Sequence, residues 1–177
     1  MIKTIADFPR PGIRFLDITP FLLDPEEVKK AVNALCEQVQ NVAKGEKVVI
    51  VGPEARGFIF GSMVALQLEQ PFFMLRKDGK LPNDGTQVAF SADKEYGSSK
   101  FVVNIADLDD LKAKGIRKVV VLDDVLATGH TNFAVSNFFK SQGFEVALVA
   151  HFIEIVALKG NDLYVNAGYP TYSYIKH

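Results

Sequence analysis

Short runs of apolar, largely β-branched residues alternate with stretches of helical periodicity, and this alternation restricts the architecture more than any other feature of the chain. The runs fall at residues 47–51, 72–75, 101–105 and 118–122, with a further one at 145–153. Strands this uniformly apolar need cover on both faces, so an α/β fold is predicted: a mostly parallel twisted sheet flanked by helices. The first helix is announced by Asp24-Pro25-Glu26-Glu27, which supplies an N-cap, a proline at the first helical position and an acid three residues after the cap. Val28, Ala31, Val32, Leu35, Cys36, Val39 and Val42 then recur at spacings of three and four, laying one apolar stripe along the helix until Gly45 ends it. Further helices are predicted over about residues 58–68 and 132–141.

Residues 76–100 break the alternation. Gly79, Pro82, Gly85 and Gly97 stand among polar residues with no sustained period of two or 3.6, so a long flexible loop is expected, of the kind that closes over a substrate. With 177 residues and no repeat or linker, the chain fits a single domain, 1–177.

Hydrophobic residues make up 48% of the chain and charged ones 23%, with a net charge of −1. This balance argues against disorder and against a general attraction to nucleic acid or membrane, so any grip on an anion has to be local. The single Cys36 lies on the apolar stripe and reads as structural, which suits a cytoplasmic setting. No apolar run approaches the roughly 18 residues that a membrane span needs, and no secretory pattern opens the sequence.

Ligands of parallel sheets collect at the carboxyl ends of the strands. Three segments lie at such ends. In residues 119–131, an apolar strand runs into Asp123 and Asp124, then through Val125 and Leu126 into the turn Ala127-Thr128-Gly129-His130-Thr131 that opens a helix. Backbone N–H groups and the positive end of the helix dipole make an anion site there, the Thr hydroxyls add donors, and the two acids suit ribose hydroxyls; an ordinary capped turn is the alternative. The second segment, Gly52-Pro53-Glu54-Ala55-Arg56-Gly57, places a planar cation at another helix start, though its glycines could serve packing alone. The third, residues 75–82, carries Arg76, Lys77 and Lys80 within five residues, and would neutralise a pyrophosphate if the sheet sets it beside Arg56.

In this order, the segments resemble the type I phosphoribosyltransferases, and among them those acting on adenine, over nearly the whole chain. FPRPGIRFLDITP (residues 8–20) is similar to that family's purine-covering hood, which spans about residues 1–24, and GPEARGFIFG (52–61) to its pyrophosphate loop. RKDGKLP (76–82) resembles the basic turn that follows, Lys94-Glu95-Tyr96-Gly97 the catalytic-loop signature, LDDVLATGHT (122–131) the phosphoribosyl-pyrophosphate motif, and residues 172–177 the terminal strand.

The resemblance implies transfer of a phosphoribosyl group from phosphoribosyl pyrophosphate to adenine, giving AMP and pyrophosphate. Mg²⁺ would ride mainly on the phosphoribosyl pyrophosphate, with no direct protein ligation expected. By the same resemblance, Asp123, Asp124, Ala127, Thr128, Gly129, His130 and Thr131 bind the phosphoribosyl group, while Glu54, Ala55, Arg56, Lys77 and Lys80 bind pyrophosphate. Arg14, Phe15, Leu16 and Val125 meet the purine. Arg56 and Glu95 are the catalytic candidates, the latter at purine N7 as general acid or base, and Tyr96 shapes the loop. A homodimer is expected.

Three features depart from the family's pattern. Arg14-Phe15-Leu16-Asp17 carries its cation two places early, His130 replaces a glycine, and the approach to Glu95 through residues 91–94 is more polar, with a lid about two residues longer. A non-glycine residue at positive φ would be strained here, but other phosphoribosyltransferases tolerate side chains at the equivalent place, so His130 is expected to point outward. A cation near the purine leaves a 6-oxopurine transferase as one alternative, and a non-catalytic nucleotide-binding regulator as another.

Overall fold

The computed structural model describes residues 2–8, 10–12, 14–94 and 97–177. Two short strands, β1 (Lys3–Ala6) and β2 (Arg14–Asp17), pair antiparallel in a small sheet of their own, followed by the single turn α1 (Thr19–Leu22). The helix α2 (Pro25–Ala43) starts where the capping signal placed it: the Asp24 carboxylate accepts from the backbone N–H groups of Glu26 and Glu27 at 3.1 and 3.2 Å. Lys44 and Gly45, both at positive φ, end it.

The main sheet is then laid down by β3 (Val48–Pro53), α3 (Gly57–Gln67), β4 (Phe72–Lys77), β5 (Gln87–Lys94), β6 (Gly97–Asn104), α4 (Ile105–Ala113), β7 (Lys118–Leu126), α5 (His130–Ser141) and β8 (Glu145–Glu154). A 3₁₀ turn (Val156–Leu158), α6 (Asn161–Asn166) and β9 (Thr171–Lys176) complete the chain. Seven strands run in the order β5-β6-β4-β3-β7-β8-β9. From β4 to β9 all pairings are parallel, whereas β6 is antiparallel to both β4 and β5.

Alternation along β7 divides the interior. Val120 and Leu122 pack with α2 and α3 on one face, whereas Val119 and Val121 pack with α4, α5 and α6 on the other. Every residue of β3 is buried, as a strand covered on both sides requires. Cys36 lies in the first of these cores.

Residues 76–100 correct the loop expected from sequence. β4 continues to Lys77, a turn follows, and β5 and β6 form an antiparallel hairpin whose base is fixed where Phe90 stacks on Phe138 of α5 at 4.2 Å. Val88, Phe90 and Ala92 do alternate, but Ala89 and the polar outer face of an edge strand hide the period of two. The strand expected at 101–105 runs instead from Gly97 to Asn104, and Ile105 begins α4.

Candidate active site

The turn after β7 is held from below. Gly129 sits at φ +84°, and a Cβ there would stand 2.7 Å from the Gly160 backbone oxygen. A Cβ on Gly160 would in turn collide with the Ala127 oxygen. The two glycines therefore let one backbone nest against the other, and the Tyr164 hydroxyl of α6 donates to the Gly129 oxygen at 2.6 Å. Phe133 N–H donates to that same oxygen at 3.0 Å, the first bond of α5. The N–H groups of His130, Thr131 and Asn132 precede it and lack intrahelical acceptors, so they and the helix dipole form an anion cradle.

His130 is the first residue of α5, not a left-handed one; the strain considered for a side chain here does not arise, because Gly129 takes the positive φ. The imidazole is exposed, with Nδ1 3.1 Å from Thr128 Oγ1.

Asp123 and Asp124 are consecutive near the end of β7, and their carboxylates lie close enough for each to perturb the other. Asp124 is buried on the α3 side, where Arg56 Nε lies 3.0 Å from its Oδ2, an ion pair without the alignment of a hydrogen bond. The Asp123 carboxylate accepts from the Asp124 N–H at 2.9 Å. Burial, and then the neighbouring Asp124 charge, push Asp123 up to about 8. Burial also raises Asp124, against the pull of Arg56. Gly57 at the start of α3 allows this approach: a Cβ there would stand 3.1 Å from Asp123 Oδ1 and 2.8 Å from Pro53.

Between β3 and α3 the peptide Glu54-Ala55 is cis. The Glu54 carboxylate accepts from Lys77 N–H at 2.9 Å and Arg76 Nε at 3.2 Å, and these bonds, the backbone one foremost, lower its pKa. Glu54 thus fastens the loop to the end of β4, setting Ala55, Arg56 and Lys77 around one opening. The Arg56 guanidinium also lies 5.4 Å from the centre of the Phe15 ring, which meets Phe8 edge-on at 5.2 Å.

One cavity of about 940 Å³ gathers these parts, within the usual range for small-molecule sites. Its walls include Phe15, Leu16, Glu54, Ala55, Arg56, Lys77, Asp123, Asp124, Val125, Ala127, Thr128, Gly129, His130 and Thr131. Leu16 is buried in the core, so its backbone is what it can offer a ligand. Lys80, on the turn beyond β4, does not line the cavity. The backbone of Arg14 pairs with Ala6, and its side chain, like Glu95 and Tyr96, lies outside the described residues. Asn132, His151 and Tyr164 also line the cavity, and none had been singled out as a site residue. The pairing of Asp123 with His151 across β7 and β8 brings that histidine to the site.

Similarity to known proteins gives the family. The phosphoribosyl transferase domain matches residues 22–168. A relative from Mycoplasmopsis agalactiae, named adenine phosphoribosyltransferase, is 38% identical over 175 residues, which cover 99% of this chain and 96% of the relative. The chain belongs to the adenine phosphoribosyltransferase family. The adenine phosphoribosyltransferase of Rhodothermus marinus has a solved structure that matches with a TM-score of 0.82 at 37% identity, over 99% of this chain and 94% of that one. That of Giardia lamblia, solved with 9-deazaadenine, matches with a TM-score of 0.82 at 32% identity, over 100% and 94%.

Proposed function

We propose that the chain transfers the phosphoribosyl group of phosphoribosyl pyrophosphate to adenine, releasing AMP and pyrophosphate. The observation that carries this reading is the convergence of the anion cradle, the acid pair and Arg56 with Lys77 on one cavity, in a chain similar to relatives named for this activity. In the transfer, the bond from ribose C1 to the pyrophosphate oxygen breaks, the purine N9 to C1 bond forms, and adenine gives up one proton.

The turn from Ala127 to Thr131 grips the 5′-phosphate, and Asp123 and Asp124 accept from the ribose hydroxyls. Arg56 and Lys77 stand as preorganised positive charge where the leaving group gathers negative charge. Phe15, Leu16 and Val125 form the apolar end that receives the base. Glu95 as the proton-handling group, Tyr96 in the loop, Arg14 at the base and Lys80 at the pyrophosphate rest on the family resemblance.

The donor set fits a Mg²⁺ ion carried in by the substrate: Asp123 with Asp124 is the acidic pair on the cavity wall that would meet it through the sugar. When bound, the ion would supply positive charge against the pyrophosphate. A cytoplasmic homodimer belongs to the same reading, and light scattering after size exclusion checks the assembly.

Turnover assays with adenine, hypoxanthine and guanine test the proposal. Adenine should be consumed with stoichiometric pyrophosphate release; strong hypoxanthine turnover beside silent adenine would reject the assignment. Glu95→Ala should cut kcat far more than affinity for phosphoribosyl pyrophosphate.

A further inference from the structure

The side chains of Asn132 and His151 have no part in the chemistry above, yet both are polar, both residues line the cavity wall, and they are only 3% and 1% exposed. Asn132 is the third residue of α5, and its N–H belongs to the anion cradle. His151 lies in β8, in register with Asp123. Asn132 Nδ2 and His151 Nε2 are 3.0 Å apart.

Burial pushes His151 down to about 3, so the imidazole is neutral; it accepts from the amide at Nε2 and carries its proton on Nδ1. Asn132 Oδ1 and His151 Nδ1 then have no partner among the described residues. Two apolar side chains would fill the same space without that penalty, so packing does not account for the pair. Its location does. The Asn132 backbone oxygen accepts from Ser136 Oγ at 2.7 Å within α5, and the His151 ring lies 5.9 Å from that of Tyr164, which holds Gly129.

We infer that Asn132 and His151 are a positioning pair that fixes the first turn of α5 relative to Asp123, so that the sugar phosphate and the ribose hydroxyls are gripped in one geometry. The inference rests on the proposed phosphoribosyl site but not on the identity of the base.

The test combines Asn132→Leu, His151→Leu, the double variant and His151→Gln, whose amide oxygen can still accept from Asn132. Ribose 5-phosphate binding is measured by calorimetry, beside KM for each substrate and thermal melting. Each single Leu variant should weaken ribose 5-phosphate binding and raise KM for phosphoribosyl pyrophosphate about tenfold, the scale of a lost buried hydrogen bond, with KM for adenine unmoved. The double variant should regain thermal stability without regaining affinity, and His151→Gln should restore affinity in part. Unchanged affinity in the single variants, or affinity that returns with stability in the double one, would overturn the inference. Silent variants in a chain that turns over adenine reject the pair alone; variants that respond in a chain that binds ribose 5-phosphate but ignores adenine reject the functional reading alone.

Discussion

The Tyr164 hydroxyl reaches the backbone oxygen of Gly129 at 2.6 Å, so α6, which contributes no ligand of its own to the predicted anion cradle, holds the cradle's left-handed residue in place. Tyr164→Phe keeps the ring against Phe133 and deletes only this bond, while Gly129 O still accepts from Phe133 N–H. The expected cost is about 1 kcal/mol, or roughly 2–4 °C in Tm. Melting curves with and without ribose 5-phosphate check it: the ligand-induced stabilisation should shrink as well.

Gly160→Ala should be harsher, because the new methyl meets the Ala127 oxygen and the Gly129 nitrogen, both backbone. Separating those segments costs about 1–3 kcal/mol and spoils the cradle. Gly115→Ala is the control. It also sits at positive φ but faces open space, so it should lose about 1 kcal/mol of stability with ribose 5-phosphate binding intact. Calorimetric titration separates the two.

A half-buried acid and a buried imidazole bend the pH dependence of stability in opposite directions. Asp123, at about 8 when folded against 3.8 in the free state, keeps a proton that the unfolded chain has released, so its contribution falls as pH rises from about 4 to 8. His151, at about 3 against 6.5, refuses a proton that the unfolded chain binds, so its contribution falls as pH drops from about 6.5 to 3. Relative to the parent, Asp123→Asn should therefore gain stability as pH rises through the first window. His151→Gln should gain as pH falls through the second. Urea unfolding across pH 3–9 reads both slopes.

Arg56 both pairs with Asp124 and faces the cavity, so Arg56→Gln removes the proposed leaving-group cation and strands a buried acid. A loss of about 100-fold in kcat is expected, on the scale of one deleted donor to a developing anion. Arg56→Lys should recover little of it, since an ammonium cannot reproduce the planar fork. Steady-state kinetics with phosphoribosyl pyrophosphate varied gives the comparison.

Legibility in the sequence followed locality. β3, β7 and β8 were visible because strands covered on both faces are continuous apolar runs, and α2 because its cap and stripe lie within a few residues of each other. The edge strand β5 and the pair β1 and β2 were not, since a half-exposed strand of four to eight residues carries few apolar positions. The same division runs through the site. Asp123 to Thr131 could be read from one strand end and its turn. The contacts of Gly129 with Gly160, and of Asn132 with His151, join residues 31 and 19 positions apart, and depend on strand order and register that no local pattern encodes.

The nesting of Gly129 on Gly160 has a consequence for how such a chain can change over generations. Where backbone meets backbone there is no side chain to trade, so the proposed sugar-phosphate grip tolerates almost no drift. Phe15, on β2 of the separate two-stranded sheet, meets Phe8 edge-on and takes no part in that contact. On the proposed assignment, new base preferences can therefore be tried there while the grip on the common half of the substrate stays as it was.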